Sequence, residues 1–384
     1  MEMQMDEILV TTKHGSGRPA VVGLGSEFVV VWTEPGDQNL RGARFDLAGN
    51  KRAEFQVNTT PGIFGLITVE RIRSGFVVAW VAFPPAKLVF QRFGLDGRKA
   101  GPESVVSNNH VAADLTRMRA PAVASTLDGN FVISWVAALP DPQVRAAIFN
   151  SEDGGRVGPE IAVNSSSGSH FAPSVVAFAG AGLDDVTFAI AWKGGENGIF
   201  RSRFQLFNFD GKKSGPEIAP RGPGVGEIAP ATFGGNIEDP REFISVLGGI
   251  NSIEGQKLTA ELFVRDGTSL GVTVSGDDMV NFEPLVKALP HGGSVVTWTQ
   301  KPVATTGKFG TRVMAAIVVV AGGPPDFLAL SGVRQVGTTD VGGQMSASPM
   351  VDNSGGSHIA FTWVEQPHGS PDSIKAKVLS ETLN

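Results

Sequence analysis

Short apolar runs ending in tryptophan recur along the chain. Six are plain: Phe28-Val-Val-Val-Trp32, Phe76-Val-Val-Ala-Trp80, Phe131-Val-Ile-Ser-Trp135, Phe188-Ala-Ile-Ala-Trp192, Val295-Val-Thr-Trp298 and Ile359-Ala-Phe-Thr-Trp363. A seventh, Phe243-Ile-Ser-Val-Leu247, has leucine at the tryptophan position and keeps the repeat at about fifty residues. Runs this short, rich in β-branched and aromatic residues and bounded by turn residues, predict strands. The tryptophan and the phenylalanine four positions before it share one face of such a strand. Both are therefore expected in the core, not as stacking platforms for sugar rings.

Each run sits in a longer unit. A strand precedes it, as at 18–24 or 120–124, and two follow, the first ending in phenylalanine. Asp96-Gly97, Asp153-Gly154, Asp210-Gly211 and Asp266-Gly267 mark hairpins between the third and fourth strands, because glycine supplies the positive φ of a tight turn. Gly-Pro-Glu at 101–103, 158–160 and 215–217 leads into fourth strands. Four strands per repeat is the pattern of a propeller blade.

The last unit ends after its third strand, 374–379, while Glu7-Ile8-Leu9-Val10 matches the fourth-strand segments Glu54-Phe55-Gln56-Val57 and Glu160-Ile161-Ala162-Val163. The expected fold is all-β: a seven-bladed β-propeller of four-stranded blades, one domain over 1–384, its ring closed by the N-terminal strand in the last blade. One insertion, Ala321 to Leu330, is expected to lengthen the third-to-fourth-strand hairpin of the sixth blade.

Charge and composition narrow the partners. With 32 Lys plus Arg against 38 Asp plus Glu and no basic patch, a nucleic-acid backbone is not an expected partner. No cysteine is present, which excludes disulfides, thiolate metal sites and cysteine nucleophiles. No signal peptide is visible at Met1 to Glu7, and no apolar run approaches the ~20 residues of a membrane helix, so a soluble protein without membrane insertion is expected.

The pattern Phe-Val-Val-x-Trp, then Phe-Asp-x-x-Gly, then Glu-x-x-Val-Asn resembles repeats of large bacterial surface and secreted proteins and, more distantly, bacterial propeller lectins. The resemblance covers the whole chain as a fold pattern and implies an extracellular or cell-surface binding module, a cytoplasmic one being the alternative. It carries no functional residue across. Ser125-Thr126-Leu127-Asp128-Gly129 has the wrong spacing for the sialidase repeat, which disfavours that family.

Candidate chemistry is sparse. Glu7, Glu54, Glu103, Glu160 and Glu217 open fourth strands and read as structural ion pairs or turn anchors, with Arg44 and Arg92 as partners, since one carboxylate per blade is too far from the next to share an ion. The Asp-Gly turns lack the Asp-x-Asp-x-Asp-Gly pattern of a calcium loop, so no cofactor is expected, and Ca²⁺ or another divalent metal has no motif behind it. Gly-x-Ser-x-Gly, His-Glu-x-x-His and phosphate-loop motifs are absent, so no catalytic residue is assigned.

Connections from fourth to first strand and from second to third emerge on the same side of a propeller. That side collects His14, Glu34, Asp37, His110, Asp141, His170, Glu196, Asn197, Glu365 and His368, with Glu254 beside them. These are the expected ligand-binding residues, carboxylates accepting from hydroxyls and histidines donating. The function expected is non-enzymatic recognition of a glycan or protein surface through these loops. A polysaccharide-acting hydrolase or lyase with one acidic and His-containing axial site, and a structural interaction scaffold, are the alternatives.

Overall fold

The computed structural model describes residues 6–13, 18–36, 38–107, 121–137, 141–177, 186–196, 199–219, 228–232, 243–248, 258–263, 269–275, 279–289, 294–302, 311–321, 327–337, 342–351, 355–365 and 372–380. These contain twenty-eight strands in seven antiparallel sheets of four, numbered I to VII. Sheet I is β2 (Ala20–Gly23), β3 (Glu27–Thr33), β4 (Leu40–Asp46) and β5 (Lys51–Gln56). Sheet II is β6 (Ile63–Ile72), β7 (Gly75–Phe83), β8 (Lys87–Phe93) and β9 (Ser104–Ser107). Sheet III is β10 (Ala122–Ser125), β11 (Asn130–Ala137), β12 (Gln143–Asn150) and β13 (Arg156–Ala162). Sheet IV is β14 (Ser169–Ala177), β15 (Val186–Glu196), β16 (Ile199–Asn208) and β17 (Lys213–Ile218). Sheet V is β18 (Ile228–Thr232), β19 (Phe243–Gly248), β20 (Leu258–Phe263) and β21 (Ser269–Ser275). Sheet VI is β22 (Met279–Ala288), β23 (Ser294–Pro302), β24 (Arg312–Ala321) and β25 (Phe327–Gln335). Sheet VII is β26 (Gly342–Val351), β27 (Ser357–Glu365) and β28 (Ser373–Ser380), with β1 (Ile8–Thr11) from the N-terminus as its fourth strand.

The fold is a β-propeller. First strands of successive sheets touch in order from β2 through β6, β10, β14, β18, β22 and β26, and β26 touches β2. Sheet V pairs over four strands like the other six, and its second strand is the one with Leu247 in place of tryptophan. Closure is likewise seen as pairing at the chain ends, Ile8 opposite Ala376 and Leu9 opposite Lys375, with a register shift before Thr11. The insertion in sheet VI extends its outer hairpin as paired strand, Ala321 opposite Phe327.

The tryptophans are buried, Trp192, Trp298 and Trp363 fully, and five of them pack on the sheet before their own. Trp80 lies with Leu40 and Val57 of sheet I, Trp135 with Phe90 of sheet II, and Trp192 with Val144 of sheet III. Trp363 lies with Val313 of sheet VI, and Trp32 with Ile374 and Ala376 of sheet VII and Val10 of β1. In sheets I to IV the phenylalanine at the start of the second strand stacks on the one near the end of the third. Phe28–Phe45, Phe76–Phe93, Phe131–Phe149 and Phe188–Phe207 have ring centroids 5.3, 4.9, 5.6 and 5.0 Å apart.

The Gly-Pro-Glu segments are β-bulges in the outer strands. Gly101, Gly158 and Gly215 have φ of 88°, 76° and 76°; the ladder shifts register beside Gly158 and Gly215, and Gly101 lies between the Phe93–Lys99 bridge and β9. Buried Gln91 and Gln205 pin the bulges in sheets II and IV through Nε2 donors to the carbonyls of Gly101 and Gly215. The bulge turns its glutamate toward the preceding sheet. Glu103 accepts from the amides of Thr59 and Thr60, and Glu217 from those of Ser165 and Ser166 and from the Ser166 hydroxyl.

Glu103 and Glu217 thus anchor to the preceding sheet, and the expected partners Arg44 and Arg92 are corrected. Arg44 pairs with Glu27, and Arg92 donates to the carbonyls of Ser151 and Glu152 in sheet III. Glu217 and Glu160 pair instead with Arg203 and Arg145 of their own third strands.

Candidate functional site

The face that carries the second-to-third-strand connections is framed by the ends of β3, β15 and β27. Opposite each tryptophan in the ladder stands a cation in four sheets: Arg41 by Trp32, Arg145 by Trp135, Arg203 by Trp192 and Lys375 by Trp363. In sheets III and IV this cation turns outward to the bulge glutamate. In sheets I and VII it turns instead to the second strand. Arg41 Nε donates to Glu34 Oε1 at 2.9 Å, and Lys375 Nζ lies 3.4 Å from Glu365 Oε2. Glu34 and Glu365 both stand two residues beyond their tryptophan, in neighbouring sheets, and Glu365 is the more buried.

His170 is placed in the core. It is fully buried in β14; Trp192 Nε1 donates to its Nδ1 at 3.0 Å, and its Nε2 lies 3.0 Å from the Ser166 carbonyl. Those partners require the neutral tautomer with the proton on Nε2. Burial is the main cause that pulls its pKa below the ordinary histidine value, against the Ser166 carbonyl and Glu217, which favour the charged form. Both ring nitrogens are engaged, which corrects His170 from ligand donor to structural acceptor for the tryptophan. The residue in the same register in sheet II is Phe64, which meets Trp80 edge-on.

Asp141 is exposed at the start of the segment leading to β12. Glu196 ends β15 opposite Ile199. His14, Asp37, His110, Asn197, Glu254 and His368 lie outside the described residues. Among the described residues no group of three or more His, Asp or Glu is placed to hold a metal ion. The sequence reading missed the cations opposite tryptophan. Their signal was present as a Lys or Arg repeating in third strands, as in Leu40-Arg41-Gly42-Ala43 and Ile374-Lys375-Ala376.

A further charged pair joins the first strands of sheets II and VI. Lys287 Nζ of β22 is 2.8 Å from Glu70 Oε2 of β6, a contact between residues 217 apart that no local sequence pattern announces.

No family model matches the chain, and no curated protein does. Solved structures match it in fold. The Kuenenia stuttgartiensis hydrazine synthase is 9% identical, with TM-score 0.57 over 97% of each chain. An ulvan lyase, described as a polysaccharide lyase of a new family, is 10% identical, with TM-score 0.54 over 100% of this chain and 98% of its own. A subtype N11 neuraminidase-like protein of A/flat-faced bat/Peru/033/2010 (H18N11) is 9% identical, with TM-score 0.50 over 99% of this chain and 98% of its own. At such identities the likeness is one of architecture.

Proposed function

We propose that the protein is a carbohydrate-recognition module whose ligand approaches the face bearing the second-to-third-strand connections. One observation carries the reading: in neighbouring sheets VII and I, the position two beyond tryptophan is a carboxylate held by a cation, Glu365 by Lys375 and Glu34 by Arg41. A carboxylate beside a fixed cation presents acceptors and donors together, which suits the vicinal hydroxyls of a sugar. Asp141 adds an exposed acceptor on the same side. On the opposite face the Asp-Gly hairpins are accounted for by turn geometry.

The likeness in fold to an ulvan lyase, also solved bound to a glucuronate–sulfated rhamnose unit, and to a neuraminidase-like protein supports the choice of ligand class. The equally full likeness to hydrazine synthase is why the face, not the fold, must carry the argument. Recognition in this reading is reversible, without a covalent step, and the setting is extracellular or at a cell surface.

A glycan array probed with the wild type, Glu34→Gln and Glu365→Gln tests it. Binding to a defined glycan, weakened roughly tenfold by either change while the fold persists, is expected for a charge-assisted hydrogen bond. Failure to bind any glycan sinks the reading. Incubation with the bound polysaccharide, followed by assay for new chain ends, separates recognition from cleavage by a lyase or hydrolase.

A further inference from the structure

First strands border the central bore, so residues in equivalent register on them form a layer around the axis. The position opposite the residue three before the tryptophan, or before Leu247 in sheet V, is Val22, Glu70, Ala124, Val176, Ala231, Lys287 and Ser348 in sheets I to VII. Five of these are apolar or small. The other two are opposite charges, and they meet. β6 and β22 are not neighbours: β26 and β2 separate them on one side, β10, β14 and β18 on the other. The Glu70–Lys287 pair therefore crosses the bore. It does so near the ends of β6 and β22 that lead into the first-to-second-strand hairpins, which puts it at the hairpin-side mouth.

Toward the other mouth the same strands change. β6, β14, β22 and β26 each carry a β-bulge at one depth, between Gly65 and Thr68, Phe171 and Ser174, Phe282 and Leu285, and Gly343 and Ser346. Leu66 and Ala172, inside two of these bulges, have φ of 55° and 50°, a conformation that costs a non-glycine residue energy and concentrates at working sites. A Cβ on Gly65 would meet nothing within 4 Å. Among the described residues, open space lies beside Gly65 at that level, with the charged pair toward the hairpin side.

Resting on the carbohydrate reading, we propose that Glu70 and Lys287 are the floor of a one-ended axial pocket that takes a single hydroxylated unit, the end of a glycan, entering from the connection-bearing face. The two side chains are part exposed, 25% and 44%, and among the described residues their one side-chain partner is each other. The ammonium retains two donors and the carboxylate one unengaged oxygen, enough to hold neighbouring hydroxyls. Because the pair bars the far mouth, the pocket admits a chain end and does not thread a chain.

The absence of cysteine makes the test clean. In Gly65→Cys, the introduced thiol should react rapidly with a small charged methanethiosulfonate reagent in the folded protein. A panel of free monosaccharides at about 10 mM, where binders of millimolar Kd register, should include one that binds the wild type. Glu70→Gln and Lys287→Met should weaken that binding roughly tenfold or more. Should either variant fail to fold, the reagent-blocked Gly65→Cys protein should lose the sugar in their place. An inert thiol overturns the pocket whatever sugar binds. A reactive thiol with sugar binding indifferent to the label and to both variants overturns the pocket and leaves the carbohydrate reading standing. A reactive thiol with no sugar bound by the wild type overturns the carbohydrate reading and this ligand with it.

Discussion

The contact between sheets III and IV and the one between sheets VII and I use the same parts to different effect. At III/IV the turn glycine Gly211, with φ of 79°, lies under Ile161, whose Cδ1 would be 2.6 Å from an added Cβ. At VII/I the corresponding Gly49, φ 84°, lies under Ile8 of the N-terminal strand at the same 2.6 Å, measured to Cγ1. The apolar joint is thus reproduced where the chain ends meet. The polar joint is not. Lys213 donates to the Ser165 hydroxyl at 2.7 Å, and Glu217 gathers Ser165, Ser166 and Arg203. At the seam Lys51 reaches the Val10 carbonyl at 3.4 Å, and Glu54 is held by Lys51 of its own strand. Shape complementarity is common to both joints, while among the described residues the cluster of charged hydrogen bonds around a glutamate is found at III/IV and not at the seam.

Removing residues 1–13 should have the largest effect on the joint between sheets VII and I. This strips Ile8 from Gly49 and Val10 from the cluster around Trp32, and it bares the edge of β28. Two largely buried aliphatic side chains at ~1.5–3 kcal/mol each, with a few ladder hydrogen bonds, put the cost on the order of 5 kcal/mol. Denaturant unfolding measures it. An unchanged midpoint would show that β1 contributes nothing to sheet VII.

The strands, the tryptophans and the pairing of the chain ends were legible in the sequence because each is written as a short-range pattern repeated several times. The seventh unit, with Leu247 in place of tryptophan, was legible only by its place in the fifty-residue spacing. The site was less legible. His170 lies on the expected side, but whether its imidazole faces solvent or Trp192 depends on a partner 22 residues away, which loop membership does not encode. The Arg44 and Arg92 assignments failed for a related reason. Third-strand cations at those positions reach to their own second strand or to the next sheet, and only a bulge, invisible in residue types alone, decides where Glu103 and Glu217 turn. Glu70 and Lys287 needed the closed circle itself to be seen as neighbours.

The polar half of the comparison is sharpened by Glu217→Gln set against Glu54→Gln. Burial pushes the Glu217 carboxyl up, but hydrogen bonds from the Ser166 hydroxyl, the Ser165 amide, Arg203 and the Ser166 amide outweigh it and hold the pKa below the ordinary value of 4.5. Its folded pKa being depressed, its stabilisation is present above that value and lost as pH falls through it. Glu217→Gln should cost ~1–2 kcal/mol at neutral pH, and exposed Glu54→Gln less than ~0.5 kcal/mol. Equal losses in paired unfolding curves would erase the difference between the two joints.

The smallest effect is the most specific to sheet IV. His170 is a depressed histidine: buried neutral, it must gain a proton on acidification and lose the Trp192 hydrogen bond, since a protonated Nδ1 cannot accept. The unfolded chain binds that proton near the ordinary value of 6.5 and the folded one only at lower pH. Its stabilisation is therefore complete above 6.5 and erodes as pH falls below it, ahead of Glu217, which begins to contribute only near 4.5. His170→Phe copies the Phe64–Trp80 arrangement of sheet II, where the indole N–H is buried without a partner. The substitution should cost about 1 kcal/mol at pH ~7.5, the net worth of one neutral hydrogen bond. It should also flatten the fall in stability between about pH 6.5 and 5, so that wild type and variant converge there. A variant whose stability still falls over that interval as steeply as the wild type's would assign the titration to another group and leave His170 a packing residue like Phe64.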